Sequence, residues 1–383
     1  MSDSPLEKRP PPPIPLLILT GFLGAGKTTL LNRWVKTPEF ADAAVVINEF
    51  GEIGIDHLLV ERADGTMMTL SSGCICCTVR GDLVDTLEDL IRRRDNGRIS
   101  AFNRVVIETT GLADPAPVLN AIMFHPYLPL RFRLDSVVTV VDAIGGLATL
   151  ASHEEARKQV AVADTLVLSK SDLLSDGEEN SELLGRLRAL NPGARRLDAA
   201  RGAASAAAVL GGGAFDLERR TAEVRHWISP EAFRAANHHH HHDHREGHDH
   251  HGHDHNLSHH DATVRATCLV SDEPLDPGAF QMFVDLLRST HGARLLRIKG
   301  LVALRNDPAH PLVIQGVQHQ MHPAHRLEGW PDADQRSRVV FITQDLPSST
   351  VEKLWKGFFG PPAIDQPDAA GLTMSTAAGG LFG

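Results

Sequence analysis

Residues 21–28 read Gly-Phe-Leu-Gly-Ala-Gly-Lys-Thr, and this segment constrains the fold more than any other part of the sequence. It matches the phosphate-binding pattern GxxxxGK[ST], which needs a strand before it and a helix after it. An apolar run over 16–20 supplies the strand, and we predict the helix over 29–35. A chance match in a glycine-containing loop would lack this context, so we predict a loop that binds a nucleoside triphosphate with Mg²⁺.

Each residue type in this loop has an expected task. The glycines let backbone N–H groups close around the β-phosphate at the N-terminus of the helix. Lys27 should reach the β- and γ-phosphates, and Thr28 should place its hydroxyl on Mg²⁺. The residues predicted to contact the nucleotide here are Gly21, Gly24, Ala25, Gly26, Lys27, Thr28 and Thr29.

Apolar runs rich in Val, Ile and Leu alternate with helix-like stretches from residue 16 to about residue 168. The runs lack polar alternation, which favours parallel strands covered by helices on both faces. The predicted strands are 16–20, 44–48, 104–108, 136–142 and 165–169, with a helix over 82–94. The fold class predicted for this part is therefore α/β with a mainly parallel sheet.

Composition narrows the class of protein. The chain has 383 residues, 42% of them apolar and 22% charged, which is ordinary for a soluble protein of two or three domains. No apolar run approaches the roughly 20 residues of a membrane span. The N-terminus is acidic and proline-rich rather than like a secretory signal, so we expect a cytoplasmic protein. A net charge of −10 without a basic stripe argues against nucleic acid as a partner and favours cationic ligands.

A histidine-rich segment divides the chain. Thirteen of the 22 histidines lie within 238–260, a stretch that cannot form a core. Beyond it we predict a small α+β domain, with strands over 263–270, 295–305, 312–318 and 338–343 and a helix over 277–289. The predicted layout is a disordered tail over 1–14, the α/β domain over 15–228, the His-rich linker over 229–262, the α+β domain over 263–358 and a disordered tail over 359–383.

Two further segments resemble nucleotide-reading elements. Glu108 ends a predicted strand and precedes Thr-Thr-Gly111, where such folds place a carboxylate on the metal side and a glycine that senses the γ-phosphate. The alternative for Glu108 is a simple strand cap. Residues 166–172 end in Ser-Lys-Ser-Asp, close to the guanine-reading Asn-Lys-x-Asp. Asp172 would accept from guanine and Lys170 would lie along the base, while Ser169 replaces the usual asparagine.

Three of the four cysteines form a Cys-x-Cys-Cys motif. Cys74, Cys76 and Cys77 are too close together for ordinary disulfide geometry. Thiolates at this spacing suit Zn²⁺, with Co²⁺ a close mimic, and a fourth ligand must come from elsewhere. Buried structural cysteines or a redox pair are the alternatives. Cys268 lies in an apolar run and is expected in the core.

The histidine segment is also expected to bind metal. Neutral imidazoles with interleaved aspartates would hold several ions weakly and exchangeably, which suits buffering or delivery. The alternatives are an affinity tag, which its internal position and mixed composition oppose, and a solvated spacer. The predicted ligands include His238, His239, His240, His241, His242, His244, His248 and His250.

Together these motifs resemble the CobW-like family of metallochaperone GTPases, which includes proteins linked to zinc allocation, cobalamin synthesis and nitrile hydratase activation. The matching segments are 20–31, 48–52 (Asn-Glu-Phe-Gly-Glu), 73–77, 108–115 and 169–172, with 295–300 and 314–317 in the C-terminal part. The resemblance implies a P-loop GTPase domain followed by the family's C-terminal domain. It also implies that the three clustered cysteines bind metal and that Glu49 and Glu52 lie in the first switch region, where their carboxylates would assist Mg²⁺ or the transferred metal. The alternative for Glu49 and Glu52 is a solvated turn.

The sequence therefore predicts a GTPase that hydrolyses GTP to GDP and phosphate and delivers zinc, or cobalt, to a client apoprotein in a nucleotide-dependent way. Lys27, Thr28, Glu108 and Gly111 are its predicted catalytic residues. The predicted partners are GTP or GDP and the client, with no nucleic acid and no membrane, and a homo-oligomer is left open. A non-enzymatic zinc store and a nickel-insertion GTPase are the alternative functions.

Overall fold

The structure is a computed structural model that describes residues 12–48, 57–61, 67–71, 79–174, 181–210, 264–321 and 324–360. Its N-terminal part contains one sheet with helices on both faces. The strands are β1 (Ile14–Gly21), β2 (Ala43–Asn48), β3 (His57–Glu61), β4 (Met67–Ser71), β5 (Arg104–Thr109), β6 (Phe132–Asp142), β7 (Thr165–Ser169) and β8 (Arg195–Asp198). The helices are α1 (Lys27–Trp34), α2 (Val79–Asp95), α3 (Pro115–Phe124), α4 (Leu128–Arg131), α5 (Gly146–Ser152), α6 (Glu154–Val162), α7 (Ser181–Leu190) and α8 (Ala206–Leu210).

The strand order in this sheet is β4-β3-β2-β5-β1-β6-β7-β8. All neighbours pair in parallel except β2 with β3 and β3 with β4. Alternate residues of β1 serve two cores: Leu16 and Ile18 pack in the core that includes α2 and α6, whereas Leu17 and Leu19 pack with α1 and α8. Burial of both faces explains the uninterrupted apolar runs.

The predicted α/β class and mainly parallel sheet are confirmed, and all five predicted strands are present. The helix after the phosphate-binding loop begins at Lys27, two residues before the predicted start. The helix predicted over 82–94 is present as α2. Three strands of the sheet were not predicted, namely β3, β4 and β8. In β8 every residue is half-buried, so its sequence Arg-Arg-Leu-Asp carries no apolar run.

The C-terminal part contains a second, antiparallel sheet. Its strands are β9 (Val264–Ser271), β10 (Leu295–Leu304), β11 (Asp307–Val317), β12 (Gln320–Met321), β13 (His325–Arg326) and β14 (Ser337–Gln344), with helices α9 (Pro277–His291) and α10 (Ser348–Phe359). The order is β12-β11-β10-β14-β9, and β13 also pairs with β11. Phe283 of α9 and Trp355 of α10 pack edge to face, 5.3 Å between ring centroids, over one face of this sheet. Cys268 is 7% exposed in β9, as predicted.

The other face of the second sheet packs against α6 and α7, so one apolar core runs through both parts of the chain. A buried ion cluster lies in this contact. Asp164, just before β7, accepts from Arg297 Nη2 at 2.5 Å and from Lys299 Nζ at 2.7 Å, both on β10. Burial acts to raise the pKa of Asp164, but the charges of Arg297 and Lys299 outweigh it and hold the pKa below its usual value.

Two polar contacts add to this junction. Asn120 of α3 donates to Gln318, and Gln344 Nε2 of β14 donates to Glu154 Oε1 of α6 at 2.5 Å. Both α3 and α6 are therefore fixed against the C-terminal sheet. No helix that the structure describes combines the length and the apolar character needed to cross a bilayer.

Candidate nucleotide site and metal segments

The phosphate-binding loop leaves the centre of the first sheet, since β1 lies between β5 and β6. Gly24 and Gly26 have φ angles of 73° and 93°, a region that glycine enters without steric cost. Gly26 is the N-cap of α1, so the loop turns directly into the first helical N–H groups. Backbone amides turned inward at a helix N-terminus form an anion-binding concavity. The strand, loop and helix context required by the motif is present.

Lys27 lies in this loop with 8% of its surface exposed. Its Nζ donates to the carbonyl oxygens of Gly21 at 2.9 Å and Phe22 at 3.3 Å. These carbonyls hold the ammonium group beside the loop instead of letting it extend into solvent. A cation so placed adds positive charge to the concavity formed by the backbone amides.

Thr28 and Glu108 are brought together from positions 80 residues apart. The Thr28 hydroxyl donates to Glu108 Oε1 at 2.7 Å, and Glu108 is 4% exposed. The contact arises because β1 and β5 are neighbours, with Leu19 opposite Glu108 in the register. A hydroxyl beside a carboxylate is the set of hard oxygen ligands that suits Mg²⁺, so these two side chains fit the predicted metal.

Gly111 follows β5 in a turn closed by a hydrogen bond from Ala113 N to Thr110 O at 3.2 Å. A Cβ atom on Gly111 would lie 2.5 Å from Leu23 Cα and 2.6 Å from Leu23 N. Only glycine lets this turn approach the phosphate-binding loop so closely. The two segments predicted to read the phosphates are therefore in direct backbone contact.

The predicted base-reading element also adjoins the loop. The Ser169 hydroxyl donates to Ala25 O at 2.6 Å, so the serine that replaces the usual asparagine still ties this element to the phosphate-binding loop. Lys170 has a positive φ of 58° and pairs with Asp142 Oδ2 at 2.6 Å. Burial acts to raise the pKa of Asp142, but the hydrogen bond from Lys170 and two backbone N–H groups lower it overall.

Asp172 is exposed in the short helix Ser171–Leu173. The Ser171 hydroxyl donates to Asp198 Oδ1 at 2.6 Å, which brings the end of β8 next to this element. Asp198 and Asp142 were not predicted as part of the site. A carboxylate at the end of a parallel strand is the signal that both share, and it is too common to identify a site alone.

The predicted metal residues lie outside the described residues. These are Cys74, Cys76 and Cys77; Glu49 and Glu52; and His238, His239, His240, His241, His242, His244, His248 and His250. Within the part of the chain that the structure describes, no three His, Cys, Asp or Glu side chains are grouped to hold a metal ion.

The strands that lead into these segments are described, and their backbone register places their ends. β2 ends at Asn48, which pairs with Thr109 at the end of β5. The segment with Glu49 and Glu52 therefore starts at the C-terminal end of the parallel strands, where β1 leads into the phosphate-binding loop. Ser71 at the end of β4 pairs with His57 at the start of β3, and β3 runs antiparallel to β2. The chain therefore enters the cysteine segment at this same end of the sheet.

Comparison with known proteins agrees with this architecture. Residues 15–198 match the family described as CobW/HypB/UreG, nucleotide-binding domain, and residues 264–359 match the cobalamin synthesis protein CobW C-terminal domain. The zinc chaperone YjiA of Escherichia coli (strain K12) is 30% identical over 345 residues, which are 90% of this chain and 98% of that protein. The chain belongs to the CobW family.

Two further comparisons cover most of the chain. The zinc chaperone CobW of Pseudomonas aeruginosa is 31% identical, over 88% of this chain and 89% of that protein. The crystal structure of Zn(II)-bound YjiA GTPase from E. coli superposes with a TM-score of 0.62 at 29% identity, covering 91% of this chain and 99% of that one. With its phosphate-binding loop and nucleotide-binding domain, this CobW family member is a GTPase.

Proposed function

We propose that this CobW family member is a GTP-gated metallochaperone that binds zinc at Cys74, Cys76 and Cys77 and passes it to a client apoprotein. The backbone register of β2, β3 and β4 carries this proposal, because the chain enters both metal segments at the same end of the sheet as the phosphate-binding loop. Zinc is favoured because two relatives that align with most of this chain are named zinc chaperones. Co²⁺ suits the same ligands.

The nucleotide chemistry follows from the described side chains. Lys27 would supply positive charge to the β- and γ-phosphates, and the turn at Gly111 would contact the γ-phosphate. Thr28 and Glu108 would hold Mg²⁺, which neutralises charge that develops on the phosphate oxygens during hydrolysis. Lys170 and Asp172 would read the guanine base, and the Ser169 hydroxyl ties their segment to the phosphate-binding loop.

Nucleotide binding and metal binding are coupled in this proposal through the two segments that follow β2 and β4 at this end of the sheet. Contacts to the γ-phosphate order those segments and bring the thiolates, with Glu49 or Glu52 close by, into a metal-binding arrangement. Loss of the γ-phosphate releases them, and the client accepts the ion. The histidines of residues 238–260 serve as a weaker, exchangeable store. A reducing cytoplasm suits this site because it keeps the thiols free of disulfides.

Substitution of Cys76 by alanine separates the tight site from the store. Cys76→Ala should remove the tightest zinc site and leave GTP binding within about twofold of the unmodified chain, since one of the three thiolates is lost. Deletion of residues 238–260 should remove only weaker sites. The measurement is a competitive zinc titration with a chromophoric chelator, together with GTP binding.

Cys268→Ala is the matched control for this titration. Burial raises the pKa of the Cys268 thiol to about 12, so it stays protonated and is a poor metal ligand. Its substitution should leave the zinc titration unchanged. Full zinc affinity in Cys76→Ala would place the tight site elsewhere in the chain, and loss of all binding on deleting residues 238–260 would favour a simple zinc store.

A further inference from the structure

Gln159 joins helix α6 to the turn that carries Gly111. Its side-chain Nε2 donates to Gly111 O at 3.1 Å and to Ala113 O at 3.0 Å, across 48 and 46 residues of sequence. The residue is 1% exposed, and it lines a cleft beside the phosphate-binding loop together with Phe22 and Leu23. None of the motifs that identify the nucleotide site includes Gln159.

The chemistry of this contact explains the residue type. Two backbone carbonyls of one turn need two N–H donors on a single neutral group, and a side-chain amide provides this in a buried place. A lysine or arginine would bring a charge into the interior, and an aliphatic side chain would leave both carbonyls without this partner. The amide of Gln159 therefore defines the position of the Gly111 turn relative to α6.

The helix that presents Gln159 is itself fixed. The Thr139 hydroxyl of β6 donates to the Gln159 carbonyl at 2.7 Å. At the end of α6, Asn191 Nδ2 donates to the carbonyls of Val160, Ala161 and Ala163 at 2.8, 3.1 and 2.9 Å. A side chain held on an anchored helix can hold a turn at a defined place rather than follow its movements.

A second contact ties the same helix to the residue after the turn. Lys158 Nζ lies 3.5 Å from Asp114 Oδ2 and 2.7 Å from Glu154 Oε1. Asp114 caps α3 by accepting from Ala116 N at 2.9 Å. The turn is thus enclosed between Leu23 of the phosphate-binding loop, which contacts Gly111, and α6, which holds its carbonyls and its following aspartate.

We infer that Gln159 is a positioning residue for the GTPase reaction: it holds the Gly111 turn against the phosphate-binding loop, where the turn meets the γ-phosphate. The inference rests on the proposed contact of Gly111 with that phosphate. GDP lacks the γ-phosphate, so loss of the Gln159 contacts affects the GTP complex and hydrolysis more than the GDP complex.

Gln159→Met tests this inference, because methionine fills a similar volume without N–H donors. In the variant, the ratio of the affinity for a non-hydrolysable GTP analogue to the affinity for GDP should fall about tenfold below that of the unmodified chain. This is the scale of one or two lost hydrogen bonds. Its rate of hydrolysis should fall by at least about tenfold. GDP affinity should stay within about twofold of the unmodified chain, which also reports that the variant is folded.

Asn191→Leu is the matched control, since it removes a buried amide that bonds to the end of α6 without touching the turn. It should lower Tm at least as much as Gln159→Met and leave the ratio of GTP-analogue to GDP affinity unchanged. If Gln159→Met changes neither the affinity ratio nor the hydrolysis rate, the inference is overturned. An equal fall in the affinity ratio in Asn191→Leu would overturn it as well. Failure of the metallochaperone proposal is seen separately, as zinc affinity that does not depend on nucleotide in the unmodified chain.

Discussion

Replacing Lys27 by alanine should lower the rate of GTP hydrolysis by about 10²–10³-fold, the usual cost of removing one group that stabilises transition-state charge. The ammonium group lies against the carbonyls of Gly21 and Phe22 at the mouth of the loop. No neighbouring described side chain on α1 can replace it, because the helix continues with two threonines. Single-turnover hydrolysis of radiolabelled GTP measures the effect on the chemical step.

Lys36→Ala is the control for this variant. Lys36 is exposed just beyond the C-terminal end of α1, whereas the loop lies at the N-terminal end, so loss of Lys36 removes a positive charge without affecting the loop. Its hydrolysis rate should match that of the unmodified chain. Retention of most of the activity in a folded Lys27→Ala variant would contradict the assignment of residues 21–28 as the catalytic phosphate-binding loop.

Replacing Asp164 by alanine should lower the free energy of unfolding by about 3–5 kcal/mol, because it leaves buried cations without their shared carboxylate. Arg297 and Lys299 both approach Asp164 from β10, and all three side chains are buried. The cluster joins the nucleotide domain to the C-terminal sheet, so the loss should appear first as separation of the two parts. Urea unfolding followed by fluorescence and by circular dichroism measures this effect.

The same cluster predicts a pH dependence. The pKa of Asp164 is lower in the folded chain than in the unfolded one, so its contribution to stability is fully present above the unfolded value of about 3.9. It is lost as the pH falls through the folded pKa. Asp164→Asn should therefore lose less stability than the unmodified chain when the pH is lowered below about 4.

Asp285→Ala is the control for this cluster. Asp285 pairs with Arg288 at 3.4 Å on the surface of α9, where an ion pair contributes at most about 1 kcal/mol. Its stability and pH dependence should follow those of the unmodified chain. Equal stability of Asp164→Ala and Asp285→Ala would show that the buried cluster does not hold the two parts together.

The sequence predicts those parts of the fold whose signal is local. The strands β1, β2, β5, β6 and β7 are apolar runs because helices bury both faces of the sheet. The phosphate-binding loop is likewise a continuous motif, and its tasks can be assigned residue by residue. The strand β8 lacks such a signal because its residues are half exposed at the edge.

The remaining parts of the site depend on which elements become neighbours. The position of Glu108 at the end of a strand predicts a metal-side carboxylate, but its contact with Thr28 requires β5 to lie beside β1. Gln159 carries no motif, since its role arises only when α6 packs against a turn 48 residues earlier. Lys170 pairs with Asp142 for the same reason, because β6 and β7 are neighbours. Spatial contacts of this kind are not visible in one sequence.

The most direct test of the metallochaperone proposal is the zinc affinity of the chain in three states: with a non-hydrolysable GTP analogue and Mg²⁺, with GDP and Mg²⁺, and without nucleotide. The chain lacking residues 238–260 is measured in parallel, so that weak histidine sites do not mask the tight one. Zinc should bind at least about fivefold more tightly with the GTP analogue than with GDP, and zinc should tighten the GTP analogue by the same factor. Equal zinc affinity in all three states would contradict the proposal.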